Sequence, residues 1–273
     1  MSYYQILGLE KEPFSTSPDP EFFYQSREHQ AALTRLLIEI RLRRGLSVIL
    51  GDVGTGKTTL SRKLFQMLRL REDTIFFMIL DPTYETEEVF LESLLRTFQI
   101  QLDTPKPSIL DMKESLKKYL FQKGIQENKT VILLVDEAQK LNQSSLEVLR
   151  VLLNYETNEY KLLQLVLLAQ LELLPKIREM KNFMDRISMK YIINPLDDVE
   201  TKEMIEFRIR QAGYRSSLPL FKDDAIFEVY QQTLGYPRRI GMLCHKALKS
   251  LVMDSKVVVD QEVVRKIVAQ DAL

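Results

Sequence analysis

One stretch of eight residues, 51–58, constrains the fold of this 273-residue chain most: it reads GDVGTGKT and matches the pattern G-x-x-x-x-G-K-[ST]. Glycines in this pattern allow the backbone to curl until several N–H groups point at phosphate oxygens. Lys57 adds a positive charge, and the hydroxyl of Thr58 is a hard oxygen ligand for Mg²⁺. The stretch therefore predicts a loop that binds the triphosphate of ATP or GTP. Its predicted nucleotide contacts are Asp52, Val53, Gly54, Thr55, Gly56, Lys57, Thr58 and Thr59.

The residues on either side of this loop have the patterns that such a loop requires. Residues 46–50 (LSVIL) predict a buried strand, and residues 58–69 repeat apolar side chains at helical spacing. A strand, the loop and a helix in this order place the positive end of the helix dipole at the phosphates. A dinucleotide-binding turn fits less well, because Thr59 occupies the position where G-x-G-x-x-G needs its third glycine.

Apolar strands alternate with helices through the first two thirds of the chain. The predicted strands are 46–50, 74–80, 130–135, 162–168 and 189–192, and the predicted helices among them are 28–44, 58–69, 87–98, 108–122 and 144–155. This alternation is typical of a parallel sheet covered by helices on both faces. After residue 196 the predicted segments are all helical: 199–212, 225–234, 239–250 and 261–269. We therefore expect an α/β core over residues 1–195 and a smaller helical domain over 196–273.

The third predicted strand ends in two acidic residues, Asp136 and Glu137. Four or more apolar residues followed by Asp-Glu form the Walker B pattern, and here it comes about 80 residues after the phosphate loop. Asp136 is expected to hold Mg²⁺ through its water shell. Glu137 is expected to take a proton from the water that attacks the γ-phosphate. The pair predicts an enzyme that hydrolyses ATP, and it disfavours a scaffold that binds nucleotide without turnover.

Composition fits a protein of the reducing cytosol. The chain is 45% hydrophobic and 28% charged, and it has neither a signal-peptide pattern nor an apolar stretch of the ~20 residues that a membrane helix needs. The single cysteine, Cys244, excludes an internal disulfide and is interpreted as a small core residue. Zero net charge argues mildly against a protein that binds nucleic acid. The one dense basic cluster, residues 41–44, is interpreted as the end of a helix.

Together these residues resemble the AAA+ ATPases, and specifically the ATPase domain of the general secretion pathway protein A (ExeA-like) family and the related pilus-biogenesis ATPases. The resemblance covers nearly the whole length. Besides the phosphate loop, it rests on LGL at 7–9, DEAQ at 136–139, LNYET at 153–157, AQLEL at 169–173 and GYPRRI at 235–240. It implies a P-loop AAA+ αβα sandwich with a five-stranded parallel sheet and a C-terminal all-helical lid.

The resemblance also implies roles for three further residues. Gln170 takes the sensor 1 position, within reach of the γ-phosphate or the attacking water. Arg238 takes the sensor 2 position on the lid, and Arg186 takes the position of an arginine finger that reaches the nucleotide of a neighbouring subunit. The family usually has Gly-Gln-Pro where this chain has Ala-Gln-Leu at 169–171. ATP is then expected between core and lid, with its adenine against the arm at residues 14–24.

The function that this resemblance implies is ATP-driven assembly or remodelling of a cell-envelope machine of the type II secretion or type IV pilus kind. The expected partners are further copies of the same chain, which form a hexameric ring, and envelope-assembly proteins. The expected location is the cytoplasm, with peripheral attachment to the inner membrane through a partner. Because the sequence ends at Leu273, where larger relatives continue, we expect a shorter relative or a stand-alone ATPase. The alternative is an ATP-dependent DNA-binding helper of the transposition or replication-initiator type.

Overall fold

The computed structural model describes residues 2–15, 19–102, 104 and 106–271. Its contacts divide the chain into two compact units. The helical unit consists of Met1–Glu28, Val53–Thr59 and Asn194–Leu273, and the sheet unit consists of His29–Asp52 and Leu60–Ile193. The domain boundary expected at residue 195 stays a prediction. No helix in the described part of the chain is long and apolar enough to cross a lipid bilayer.

The sheet unit is built on five parallel strands. They are Leu46–Leu50 (β1), Thr74–Ile79 (β2), Thr130–Val135 (β3), Leu163–Ala169 (β4) and Ile187–Ile192 (β5). Their order across the sheet is β2-β3-β4-β1-β5, and every neighbouring pair is parallel. The three central strands are almost wholly buried, as strands covered on both faces must be. The predicted parallel sheet is confirmed, and each strand begins and ends within two residues of its predicted bounds.

Helices surround these strands and form the C-terminal third of the chain. Their bounds are Tyr3–Ile6 (α1), Arg27–Arg41 (α2), Lys57–Leu68 (α3), Glu87–Thr97 (α4), Ile109–Phe121 (α5), Gln143–Leu152 (α6), Leu173–Glu179 (α7), Lys181–Met184 (α8), Asp198–Gln211 (α9), Asp223–Thr233 (α10), Pro237–Met253 (α11) and Gln261–Asp271 (α12). The longer helices agree with the sequence pattern. The short helices α1, α7 and α8 were not predicted, because one or two turns are too few to display a hydrophobic period.

The core of the sheet unit joins one face of the sheet to α4, α5 and α6. Their fully buried side chains include Phe90, Leu94, Met112, Leu116 and Leu149. Side-chain caps define where these helices begin: Ser108 and Asn142, for example, accept hydrogen bonds from backbone N–H groups three residues later. The cap at Asn142 starts α6 soon after the Walker B turn.

The helical unit has a core of its own, in which the N-terminal arm packs on α9–α12. Leu9, Phe14 and Phe22 of the arm belong to the same buried cluster as Ile205 and Cys244. The Phe14 ring meets Phe221 edge-on, and the backbone N–H of Glu10 donates to the carbonyl of Ala212 at 2.8 Å. Cys244 is the buried core residue that the sequence predicted, and burial raises the pKa of its thiol.

Candidate nucleotide-binding site

The phosphate loop connects the end of β1 at Leu50 to the start of α3 at Lys57. Gly54 and Gly56 have φ angles of +85° and +97°, a left-handed region that side chains disfavour. Thr55 and Lys57 are buried, and only 6% of Lys57 is exposed. The first turn of α3 has backbone N–H groups that lack intrahelical acceptors, as at every helix start. The loop therefore has the glycine conformations, the buried cation and the helix N-terminus that phosphate binding requires.

The other predicted loop contacts lie next to these residues in the sequence. Asp52 and Val53 are exposed, whereas Thr58 and Thr59 are half-buried in the first turn of α3. Gly51 begins the loop, and its backbone N–H donates to the carbonyl of Ala169 at 3.2 Å. This bond joins the start of the loop directly to the end of β4.

Within the helical unit, the loop contacts the first turn of α11. The backbone N–H of Arg238 donates to the carbonyl of Gly54 at 3.2 Å. A Cβ atom added at Gly54 would lie 3.0 Å from the Cβ of Arg238, so a larger residue would push this turn away. Arg239 instead stacks its guanidinium over the Tyr236 ring, 4.9 Å from the ring centroid. Of the two adjacent arginines, Arg238, to which the resemblance gives the sensor 2 position, is therefore the one beside the loop.

Gly235 determines where α11 begins. Its φ is +73°, and its carbonyl accepts a hydrogen bond from the N–H of Leu196 at 2.9 Å. A Cβ atom at Gly235 would lie 1.8 Å from the Leu196 carbonyl oxygen, which no side chain could tolerate. Pro237 then occupies the first position of the helix, where its missing N–H costs nothing. These two residues explain why the run Gly-Tyr-Pro-Arg presents Arg238 at the helix start.

The sheet brings the start of the loop and two predicted site residues to one edge. Gly51, Asp136 and Gln170 each follow a strand immediately, and those strands are neighbours in the order β3-β4-β1. Because the strands are parallel, all three residues lie at the carboxyl edge of the sheet. Asp136 is buried, and its backbone N–H donates to the carbonyl of Ile79 at 2.8 Å.

Glu137 has an unusual backbone conformation at this edge. Its φ is +54° and its ψ is 35°, the left-handed region that non-glycine residues seldom adopt. The Asp136 carboxylate accepts a hydrogen bond from the N–H of Glu137 at 2.9 Å, which closes the turn after β3. Such backbone strain is found preferentially at functional sites.

A residue to which sequence reasoning gave no role, Gln139, joins this turn to the end of β4. Its side-chain Nε2 donates to Glu137 Oε2 at 2.6 Å, and its Oε1 accepts from the N–H of Gln170 at 3.1 Å. The sequence does show that Gln139 lies close to the Asp-Glu pair, two positions after Glu137. Nothing in the sequence, however, indicates that its amide reaches β4.

Comparison with known proteins decides the family. A family model described as "AAA domain" matches residues 40–177. General secretion pathway protein A of Aeromonas hydrophila is 36% identical over 248 residues, which are 90% of this chain and 44% of that protein. The chain belongs to the AAA ATPase family. This AAA ATPase spans less than half the length of the curated relative that it matches.

Solved structures share the fold of this AAA ATPase at low identity. The ORC2 protein of Aeropyrum pernix, in ADPNP-ADP complexes, has a TM-score of 0.64 at 18% identity and covers 89% of this chain and 66% of its own. Cdc6p of Pyrobaculum aerophilum has a TM-score of 0.68 at 16% identity, and the match covers 91% of this chain and 69% of that one. The RuvB branch migration motor of Thermotoga maritima has a TM-score of 0.57 at 14% identity, and the match covers 90% of this chain and 72% of that one.

Arg186, the predicted arginine finger of this AAA ATPase, lies between α8 and β5. It therefore stands at the amino edge of the sheet, one strand length, about 20 Å for six residues, from the carboxyl edge. Its Nε is buried without a hydrogen-bond partner. An ordinary structural role would be an ion pair with Asp185 or Glu179, but Arg186 forms no ion pair among the described residues.

The N-terminal arm that was predicted to contact adenine is used largely for packing. Phe14 and Phe22 are buried in the core of the helical unit, and Tyr24 donates a hydrogen bond to Glu203. Residues 16–18 of the arm lie outside the described residues. The adenine position stays a prediction.

Proposed function

We propose that this AAA ATPase binds ATP with Mg²⁺ and hydrolyses it to ADP and phosphate. The observation that carries the proposal is the carboxyl edge of the sheet, where the start of the phosphate loop, the Walker B carboxylates and Gln170 follow neighbouring strands. Ligands of open α/β sheets bind outside the carboxyl ends of the strands. The buried Lys57 and the two glycines with positive φ fit a triphosphate.

In this proposal the phosphate loop and the Walker B turn have different tasks. Lys57 and the N–H groups at the start of α3 bind the β- and γ-phosphates. Thr58 and Asp136 offer the hydroxyl and carboxylate oxygens that Mg²⁺ prefers. A Mg²⁺ ion held there would help to neutralise the charge that develops on the phosphate oxygens.

Glu137 performs the proton transfer in the proposed mechanism. Its ionised carboxylate takes a proton from the water that attacks the γ-phosphate, and general-base help of this kind is worth about 10²- to 10⁴-fold. Gln170, directly after β4, orients that water or the γ-phosphate through its side-chain amide. Arg238 acts on the same nucleotide from the first turn of α11, and this role is supported by its contact with Gly54.

We propose that the protein forms a hexameric ring in which Arg186 acts on the nucleotide of a neighbouring copy. Two observations support a role in trans: Arg186 stands at the edge of the sheet opposite to Glu137, and its buried Nε has no partner in the described part of its own chain. A planar guanidinium suits a phosphoryl group better than an ammonium does. The test is the mixing experiment described in the Discussion.

The proposed output is assembly or remodelling of a cell-envelope machine of the type II secretion or type IV pilus kind. Its support is 36% identity, over 90% of this chain, to a protein named for the general secretion pathway. The proposed location is the cytoplasm, with peripheral attachment to the inner membrane through an envelope-assembly partner.

A pull-down tests this output. Glu137→Gln should accumulate the ATP-bound assembly and capture envelope-assembly proteins in the presence of ATP, whereas Lys57→Ala should capture far less. Equal capture by both variants would contradict an ATP-dependent partner.

A second candidate function is ATP-dependent DNA binding. It is favoured by shared fold with an origin-recognition complex of Drosophila described as bound to DNA, with a TM-score of 0.68 at 19% identity. The net charge of zero argues against it. DNA binding by ATP-loaded Glu137→Gln, measured across a salt series, separates the two functions, because phosphate contacts give an affinity that falls steeply with salt.

A further inference from the structure

The side-chain amide of Gln139 bridges two groups of the candidate site. Gln139 is 7% exposed and lies in a short 3₁₀ turn, Ala138–Lys140, that follows Glu137. Its Nε2 lies 2.6 Å from Glu137 Oε2, and its Oε1 lies 3.1 Å from the backbone nitrogen of Gln170. One side chain thus contacts both the proposed general base and the end of the neighbouring strand.

The chemistry of the two partners determines the orientation of this amide. The N–H of Gln170 can only donate, so the group that faces it must be the carbonyl oxygen of Gln139. The NH₂ group then faces the Glu137 carboxylate, which can only accept when ionised. A flipped amide would oppose oxygen to carboxylate and N–H to NH₂. Only one orientation is therefore stable, and the bridge has a definite direction.

The backbone of Gln139 is held as well. Its carbonyl accepts a hydrogen bond from Lys176 Nζ at 2.5 Å, and the same ammonium contacts the carbonyl of Leu141 at 3.4 Å. Lys176 belongs to α7, the helix that follows Gln170 by a few residues. The turn carrying Gln139 is therefore attached to the β4 side of the sheet at two points.

The bridge leaves half of the Glu137 carboxylate available. Oε2 accepts the bond from Gln139, whereas Oε1 accepts no hydrogen bond from the residues that the structure describes. When one carboxylate oxygen is held by a hydrogen bond, the direction in which the second oxygen points is restricted as well. For a general base this matters, because a displacement of 1 Å from the reacting proton can cost about a hundredfold in rate.

We infer that Gln139 is a positioning residue for hydrolysis: it aims the free oxygen of Glu137 and ties that carboxylate to Gln170 at the end of β4. The inference rests on the proposed hydrolysis of ATP through Glu137. Through Ala169, which accepts from the N–H of Gly51 at 3.2 Å, the same strand end also meets the start of the phosphate loop. Gln139 therefore links the proposed base to the end of β4, which is hydrogen-bonded to the start of the phosphate loop.

The test replaces Gln139 by methionine, which keeps the length and volume of the side chain and removes both hydrogen bonds. Steady-state kcat and KM and calorimetric ATP affinity are measured on the full chain. We expect kcat to fall about ten- to a hundredfold, with KM and ATP affinity within about twofold of wild type. In a Glu137→Gln background, Gln139→Met should add less than about twofold, because the residue acts through Glu137.

The chain offers a matched control at the other end of β4. Gln164 is also buried, and its amide also bridges two groups: it accepts from the N–H of Gly45 at 2.9 Å and donates to the carbonyl of Lys161 at 2.8 Å. Gln164→Met should lower the unfolding temperature, as Gln139→Met does, while leaving kcat per folded molecule unchanged. Thermal unfolding monitors the folded fraction of both variants.

Three results would overturn the inference: a kcat for Gln139→Met no lower than that of Gln164→Met, a loss that resides entirely in KM, or an increase in kcat. If Gln139→Met does not fold, Gln139→Asn, whose shorter amide cannot span both partners, is measured against Gln164→Asn. Failure of the proposed function is distinguishable, because it shows in wild type without ATPase activity or in Glu137→Gln at the wild-type rate. Either of those results would remove the inference as well.

Discussion

The two edges of the parallel sheet carry the same type of buried residue with opposite consequences. At the amino edge, Gln164 uses both ends of its amide on backbone groups, the N–H of Gly45 and the carbonyl of Lys161. At the carboxyl edge, Gln139 uses one end on a backbone N–H and the other on the ionisable carboxylate of Glu137. The first amide completes the hydrogen bonding of the fold, whereas the second reaches a group that can transfer a proton.

Topology explains the difference. From β1 the chain crosses to β2 at the far edge of the sheet and returns through β3 to β4, which lies beside β1. It then crosses to β5 on the other side of β1. The loops that lead to the next helices therefore begin at the carboxyl ends of β1 and β4, the two neighbouring strands from which the connections run in opposite directions. The amino edge receives helix C-termini, and its polar residues serve the fold.

The comparison is tested most strongly at Glu137. Glu137→Gln keeps the shape of the side chain and removes its basicity, so ATP affinity should persist while turnover falls by about 10²- to 10⁴-fold. Single-turnover hydrolysis and calorimetry measure the two quantities. Glu114→Gln, at an exposed position of α5, is the control and should hydrolyse ATP normally. A wild-type rate for Glu137→Gln would make Glu137 a structural turn residue.

Arg186 could break the comparison, because it stands at the amino edge and is still proposed to act in hydrolysis. Arg186→Ala should keep ATP affinity and lose about 10³-fold in kcat. Mixing it with inactive Lys57→Ala should restore activity, since a subunit with an intact Arg186 then adjoins one with an intact phosphate loop. Arg178→Ala, at an exposed position of α7, is the control. No recovery in mixtures that co-assemble by light scattering would leave Arg186 a structural residue.

Lys57 sharpens the comparison at the loop that begins from the carboxyl edge. Lys57→Ala should weaken ATP binding by about 1.5–3 kcal/mol, or roughly ten- to a hundredfold, because it removes a charge-assisted phosphate contact. Isothermal titration calorimetry measures the change, and Lys63→Ala in the same helix serves as control. An affinity equal to that of wild type would exclude residues 51–58 as a phosphate loop.

The smallest effect on activity is expected at Gly45, just before β1. Its φ is +98°, and an added Cβ would lie 2.8 Å from Cγ of Lys161, a flexible side chain that can move. Gly45→Ala should therefore cost about 1–2 kcal/mol of unfolding free energy from backbone strain. Chemical denaturation measures this loss, and KM for ATP should not change. A raised KM would show that the amino edge also influences the nucleotide.

Sequence patterns predicted the sheet well, because the nearly continuous apolar runs of β1, β3 and β4 need burial on both faces, and a parallel sheet covered by helices provides it. The candidate phosphate loop and the Asp136–Glu137 pair could also be located from the sequence, since fixed residue types at fixed spacing express a chemical requirement; their roles stay predictions. Cys244 was interpreted as a core residue from its position in a helical pattern, and it is buried.

Other features needed the structure. The choice between Arg238 and Arg239 depends on which one meets Gly54, and adjacent residues at a helix start cannot be separated by periodicity. The need for glycine at position 235 arises from the carbonyl of Leu196, nearly forty residues earlier in the sequence. The bridge made by Gln139 depends on Gln170, which lies 31 residues later in the sequence.

The sequence by itself determined the class of fold and located the candidate phosphate loop and the acidic pair, because each depends on local residue order and on burial. Tertiary structure alone decided which polar groups meet at each edge of the sheet. It assigned one buried glutamine, Gln164, to the backbone and another, Gln139, to the Glu137 carboxylate. The physical reason is that hydrogen-bond partners are selected by distance in space, and parallel strands bring together residues that lie far apart in sequence.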